Sequence, residues 1–536
     1  MHFILNFQDM ENVFVADINL VCELSKQSHY DFVIVGSGIG GGVLARKLNE
    51  SKKRVLLIEK GGVSFSTHCL NTSRPHWQIG SLQGPSQDND VVYSAVKQTV
   101  QTATGSDPYV GGPVYCLGGR SNVWGLYSPS ILEKKLRKWF PSDICDFLEG
   151  TGYKDAFDTF SNNSQKSNVY PQDDIKTTEE QTAEEDLNNA IDNYYKATFP
   201  HPKVPTVSLS PMAAEFKSKK LYNFPQGAYS TVDYLLERTY QRDPNLTILL
   251  NTEVLTVSND SESEQSTLKL RNRSSNKIYE LSANIIILSA GTLGTASIAL
   301  NSGLQQKPNL GNVGKGLMDH EIWGVRFHKT TKDDLKDPMK FQCRIMIGGE
   351  NSLLNVAINA NTFLARDFSS AQHLDYTGKP IAAKDQAAGE EKFDTVNITI
   401  ERQADLSDGN EVLNTASSEP VIRVTRTPNN QASEAAQLEF QKLATFIRNE
   451  ILGISPAEPA PRLSVAGFGA VAHEVGTMRI KGPETTEDFV VDESLRVRGF
   501  SNLYVCDLSI FPSSLPANPS LTLAAISLYL AKKLLE

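Results

Sequence analysis

Residues 30–62 read YDFVIVGSGIGGGVLARKLNESKKRVLLIEKGG. The apolar, β-branched run 32–35 predicts a strand buried on both faces of a parallel sheet. Gly36, Gly38 and Gly41 follow in the spacing G-x-G-x-x-G and lead into a helical pattern through Val43, Leu44 and Leu48. The first glycine permits a tight turn, the second lets the backbone approach a pyrophosphate, and the third lets helix and strand pack closely. A second apolar strand, 54–58, ends at Glu59, whose carboxylate is placed to hydrogen-bond an adenosine ribose. Strand, glycines, helix, strand and acid in this order predict dinucleotide binding. The terminal acid suits FAD or NAD and disfavours a 2′-phosphate.

With 536 residues, the chain is long enough for more than one domain. A formal net charge of −10, with no Lys/Arg block, argues against a nucleic-acid partner, whose phosphates would be repelled. No apolar run reaches membrane-spanning length. The six cysteines (Cys22, Cys69, Cys116, Cys145, Cys343, Cys506) form no C-x-x-C pair and have no histidine at ligand spacing. Neither structural zinc nor a disulfide framework is expected, and no metal is assigned. Residues 1–29 are read as an N-terminal arm packed on the body, helical from Phe14 through Ile18 and Val21. No basic region precedes its short apolar run, so no signal peptide is read and an intracellular, cytoplasmic location is expected.

A second glycine-rich stretch, VGGPVYCLGGRSNVWGLYSP, spans 110–129. In it Gly118, Gly119 and Gly125 bracket Ser121, Asn122 and Trp124, a pattern in which backbone amides and an indole can approach a flat ligand. Residues 173–192 are acidic, and Thr182 with Glu185 reads as a capping box on a solvated helix. A strand is expected over 245–254 and another over 285–288, the latter running into Ala290, Gly291 and Thr292 at a helix start, again a place of close backbone approach. Between 321 and 464 the segments 341–347, 354–364, 394–401 and 420–426 alternate apolar and polar, which predicts an antiparallel sheet with one wet face. A helix then runs through Leu438, Leu443, Ile447 and Ile451 to Gly453. Near the C-terminus stand VAHEVGTMRI (471–480) and FVVDESLRVRGFSNLYVCDLSIFPSSLPANPSLTLAAISLYLAKKL (489–534). They predict a last strand over 502–507 and a last helix starting at Pro519, a residue favoured at the first helical position.

GGRSNVWG resembles the flavin loop of the glucose-methanol-choline (GMC) oxidoreductases, in particular the branch that includes pyranose oxidase. The order His-x-x-Gly-Thr, Val-Asp, Gly-x-x-Asn-Leu-Tyr-Val and Asn-Pro is similar to that family's C-terminal signature. The resemblance implies a Rossmann-like FAD-binding domain (30–155, 215–320 and 465–536) and an antiparallel-sheet substrate domain (156–214 and 321–464), the α/β plus α+β architecture shared with p-hydroxybenzoate hydroxylase. It makes His473 the catalytic base and Asn518 its partner. It also brings Val254 to the adenine, Asp507 to the ribityl chain, and Asp319 to the edge of the flavin domain, with His320 structural. Val123 stands where pyranose oxidase bonds flavin covalently through a histidine, so FAD is expected to be non-covalent. Pro519 would aim the positive end of its helix at the flavin's pyrimidine edge.

The function these readings imply is FAD-dependent oxidation of a small-molecule alcohol, a sugar, polyol or other CH–OH donor. The base assists proton loss, hydride passes to flavin N5, and O2 or another acceptor reoxidises the flavin. A non-redox lyase of the hydroxynitrile lyase type and a binding flavoprotein are the alternatives, since one fold hosts several chemistries.

Overall fold

The computed structural model of the chain describes residues 16–71, 89–160, 178–200, 203–213, 228–259, 265–331, 339–358, 392–404, 406–407, 409–425, 430–485 and 489–536. At its centre is a five-stranded parallel sheet in the order Leu503–Val505, Ile286–Leu288, Phe32–Val35, Val55–Ile58, Leu246–Leu249. Phe32–Val35 and Val55–Ile58 are buried at every residue, as continuous apolar strands covered on both faces must be. The strand that follows Phe32–Val35 in sequence lies to one side of it, and Ile286–Leu288 lies to the other. Such a reversal opens a crevice at the carboxyl ends of the strands, where doubly wound sheets bind ligands. The helix Ile39–Glu50 packs along the final helix Ser520–Leu535, which draws the first and last sequence motifs into one layer.

The strand expected over 245–254 is two strands, and this corrects the sequence reading. Leu246–Leu249 belongs to the parallel sheet, whereas Thr252–Asn259 opens a three-stranded antiparallel sheet. The chain turns between them at Asn251, whose φ of 51° lies in the left-handed region that asparagine tolerates better than most residues.

A six-stranded antiparallel sheet forms the second layer: Ser464–Val465, Glu321–Thr331, Lys392–Arg402, Glu350–Ile358, Met339–Ile347 and Val207–Leu209. Along Lys392–Arg402 the side chains alternate as the sequence predicts, but the polar face is not wet. Val396, Ile398 and Ile400 pack in one core with Leu443 and Ile447 of the helix Asn430–Leu452 and Leu187 of Thr178–Thr198. Thr395, Asn397, Thr399 and Glu401 on the opposite face are each no more than 4% exposed. That face is turned to the parallel-sheet body: Leu353, the register partner of Glu401, belongs to the body's core.

The acidic helix also differs from its sequence reading. It runs Thr178–Thr198, so Thr182 lies a turn inside it and donates its Oγ1 to the Thr178 carbonyl at 3.0 Å instead of capping. Ala183, Leu187, Ile191 and Tyr194 bury one side of it. The segment 366–391, His76 and Trp77 lie outside the described residues, as does Phe14. No described helix is long and apolar enough to cross a membrane.

Candidate active site

One cavity of about 2010 Å³, counting its open mouth, runs from the crevice of the parallel sheet to the antiparallel layer. Its wall includes Gly36, Gly38, Glu59, Gly119, Ser121, Trp124, Gly125 and Val254 from the first half of the chain, and His473, Asp507 and Asn518 from its C-terminal motif. Gly41, Gly118, Asn122 and Pro519 do not reach it.

The glycines divide by what a side chain would strike. A Cβ on Gly36 would sit 2.3 Å from the Ser289 carbonyl oxygen, and one on Gly41 would sit 2.0 Å from that of Gly36. Both therefore serve the packing of protein on protein. On Gly38 a Cβ would meet nothing within 4 Å, so this residue fronts open cavity. It is also the N-cap of Ile39–Glu50 and has no side-chain cap, leaving first-turn amides turned toward that space. A dinucleotide fits this cradle in kind: open room at a helix N-terminus, at the reversal of strand order, beside a buried acid.

The polar groups around the cradle are already engaged. The Glu59 carboxylate accepts from Ser37 Oγ at 2.6 Å and N at 3.2 Å, and from Gly61 N at 2.9 Å. Asp507 accepts from Gly291 N at 3.0 Å and Ser509 N at 2.9 Å. Burial raises the pKa of both acids, and those hydrogen bonds oppose the rise. Asn122 donates to the Leu117 carbonyl at 2.8 Å and accepts from Ser230 Oγ at 2.8 Å, so it staples the glycine loop from behind. Trp124 donates its indole N–H to the Tyr229 carbonyl at 2.8 Å. His68 holds the Trp124 carbonyl with Nε2 at 3.0 Å while its Nδ1 accepts from Leu70 N at 3.1 Å, which fixes it as a neutral tautomer. Burial accordingly pushes its pKa down to about 3.

At the other end, Asn518 Nδ2 lies 3.3 Å from His473 Nε2. The final helix runs from Ser520 with Pro519 as N-cap, one residue later than the sequence reading; there is no side-chain cap, and Asn518 Oδ1 has no hydrogen-bond partner among the described residues. Asn518 therefore does not cap its helix. The His473 loop is held tightly. Ala472 has a left-handed φ of 58°, a conformation costing a non-glycine residue about 1–2 kcal/mol. Arg120 donates to the Ala472 carbonyl at 2.9 Å and to Glu474 at 2.6 Å, gripping the residues on both sides of the histidine. Tyr109 adds a hydrogen bond to Glu474. Paired hydrogen bonds between Met318 and Val475, at 3.0 and 2.9 Å, bring the segment before His320 against the loop.

As a result the His320 ring meets His473 edge to face, with centroids 5.1 Å apart. Burial lowers the pKa of His473 well below its usual value, and His320 and Arg120 push it the same way. Burial takes His320 down to about 4. Both rings are neutral at pH 7.

Three residues were not singled out by sequence as site residues. Arg120 sits inside GGRSNVWG and reaches the cavity wall, while Asn355 and Glu401 reach it from the polar face of the antiparallel sheet. The signal for Glu401 was present in the period-two pattern 395–401, whose polar positions stay polar although no water covers them.

A family profile described as GMC oxidoreductase, C-terminal, matches residues 370–527, and one described as NAD(P)-binding Rossmann-like domain matches residues 34–78. Among solved structures, pyridoxine 4-oxidase from Mesorbium loti superposes with a TM-score of 0.58 at 17% identity, over 94% of this chain and 99% of its own. Two variants of formate oxidase from Aspergillus oryzae RIB40, solved to follow FAD modification, superpose with TM-scores of 0.58 at 15% identity, over 94% of this chain and 98% of theirs. At those identities the likeness speaks to fold, and the profile match shows that residues 370–527 are similar to the GMC oxidoreductases.

Proposed function

We propose that the protein oxidises an alcohol, with His473 taking the hydroxyl proton as general base and Asn518 holding the same oxygen. FAD bound in the cavity would supply a two-electron hydride acceptor, which no side chain provides. An alcohol becomes a good hydride donor only as its O–H proton leaves, so a neutral imidazole must stand where the carbinol docks. The observation that carries this reading is the His473–Asn518 pair on the cavity wall, 3.3 Å apart, with His473 Nδ1 and Asn518 Oδ1 lacking partners among the described residues. A histidine kept only for structure would have its nitrogens satisfied, as His68 does.

Gly38 and Gly291 would hold FAD by backbone, Glu59 at a ribose, Val254 at the adenine and Asp507 at the ribityl chain. Trp124 and Gly125 would flank the ring. Ser520 and Leu523, on the first turn of the final helix, also line the cavity, so that helix favours negative charge beside it. Both structural neighbours are oxidases by name, which favours dioxygen as the acceptor.

Anaerobic addition of a panel of alcohols, sugars and aromatic alcohols should bleach the flavin with at least one of them, and air should restore the colour with release of peroxide. Turnover without bleaching would assign a lyase instead. Val123 lies on the cavity wall and offers no nucleophile, so acid precipitation should leave the yellow colour in the supernatant. Colour in the pellet would mean a covalent bond.

A further inference from the structure

Beside the His473–Asn518 pair, Glu401 Oε2, Asn355 Oδ1 and both ring nitrogens of His320 also have no hydrogen-bond partner among the described residues. All three residues are more than nine-tenths buried, at 4%, 6% and 2% exposed. Buried polar atoms in native proteins are nearly always paired, so so many in one place indicate a ligand's polar group. Asn355 and Glu401 belong to neighbouring strands of the antiparallel sheet and reach the cavity wall, and Asn355 Nδ2 donates to Glu401 Oε1 at 3.4 Å, a long bond. That bond leaves Asn355 Oδ1 and Glu401 Oε2 without a partner among the described residues.

The spacing says what kind of guest. The ligand atoms of His320, Glu401 and His473 lie within 4.8 Å of one another. At that proximity an oxygen held by His473 and another held by Glu401 can sit about 2.8 Å apart, as hydroxyls on adjacent carbons do. Burial pushes the Glu401 carboxyl up to about 8, with Arg344 partly offsetting the rise, so at neutral pH Glu401 both donates and accepts. The nearby Arg344 guanidinium disfavours an ammonium. Asn355 Oδ1 requires a donor, which a carbonyl or ether oxygen lacks.

We propose that Asn355 and Glu401 form a second oxygen-binding subsite that takes a hydroxyl on the carbon next to the one oxidised, making the substrate class a 1,2-diol. The proposal rests on the reading of His473 and Asn518 as the oxidising pair.

The test uses the FAD-loaded enzyme with cyclohexanol and cyclohexane-1,2-diol. Dissociation constants are read from the perturbed flavin absorbance, and flavin reduction is followed without oxygen. The diol should bind at least about 10-fold more tightly than the mono-alcohol, a hydrogen-bond pair's worth. Glu401→Gln should keep most of that ratio, because an amide still donates and accepts, and Glu401→Leu should bring it close to one. Should Glu401→Leu fail to retain FAD, Asn355→Leu replaces it with the same expectation. Equal binding of the two probes by the wild type, or binding of neither, overturns the subsite. So does a ratio unchanged in the leucine variants. Zinc binding at micromolar concentration that is lost in Glu401→Gln overturns it in favour of a metal site. Failure of every alcohol to bleach the flavin instead overturns the oxidation reading itself, so the two failures are distinguishable.

Discussion

The two ends of the cavity are built on opposite principles. Around the glycine turns, Glu59, Asp507, Asn122 and Trp124 all have protein partners at 2.6–3.2 Å. Around His473, six buried polar atoms on five residues have none among the described residues. The first end is a finished scaffold that offers a guest its backbone shape. The second keeps its hydrogen-bonding capacity for what enters, and it carries the desolvation cost until something does.

The widest gap between the ends should appear on removing the base. His473→Ala should keep FAD bound and the thermal midpoint near that of the wild type while slowing flavin reduction by about 10²–10⁴-fold. In the wild type, because burial, His320 and Arg120 hold His473 well below its usual pKa, reduction should stay level from about pH 7 down to about pH 6 and fall only at lower pH as the ring gains a proton. Reduction within a few-fold of wild type in the alanine variant would remove His473 from the mechanism.

A pair of glycine variants tests the other end. Gly36→Ala places a Cβ against the Ser289 carbonyl at a φ of 101° and should cost about 2–4 kcal/mol, seen as a lowered midpoint and poor FAD content. Gly38→Ala, entering open space, should leave the midpoint of the FAD-free protein unchanged and weaken FAD binding. Normal FAD affinity in Gly38→Ala would show that this space is not the cofactor's.

The smallest effect sharpens the contrast most. Asn518 caps nothing, so Asn518→Ala should move stability by less than about 0.5 kcal/mol and slow reduction by roughly 10-fold, about one hydrogen bond to the reacting oxygen. A stability loss near 1 kcal/mol with full turnover would return Asn518 to a capping role.

The same contrast explains what was legible in the sequence. The glycine end is written in consecutive residues, because turns and helix starts constrain neighbours: the strand–turn–helix from Phe32 to Glu50 and the acid at Glu59 could be read directly. The C-terminal motif likewise carried His473 and Asn518. Arg120, Asn355 and Glu401 join the site only through contacts between distant strands and loops, and linear spacing does not record such contacts. The polar face of Lys392–Arg402 was misread for a physical reason. Period-two alternation reports that two faces differ, not that the polar one meets water. Loop chemistry was the other blind spot, since the break at Asn251 depends on a single left-handed residue.

The strand carrying Glu401 is hydrogen-bonded along both edges, to Glu321–Thr331 and to Glu350–Ile358, which carries Asn355. Main chain locked in that way holds its course when a side chain on one face is exchanged. Neither residue belongs to the glycine turns or to the loop that bears His473. Divergence among descendants of such a protein can therefore proceed at these sheet positions one substitution at a time, altering which molecules are accepted while the inherited nucleotide crevice stays as it is.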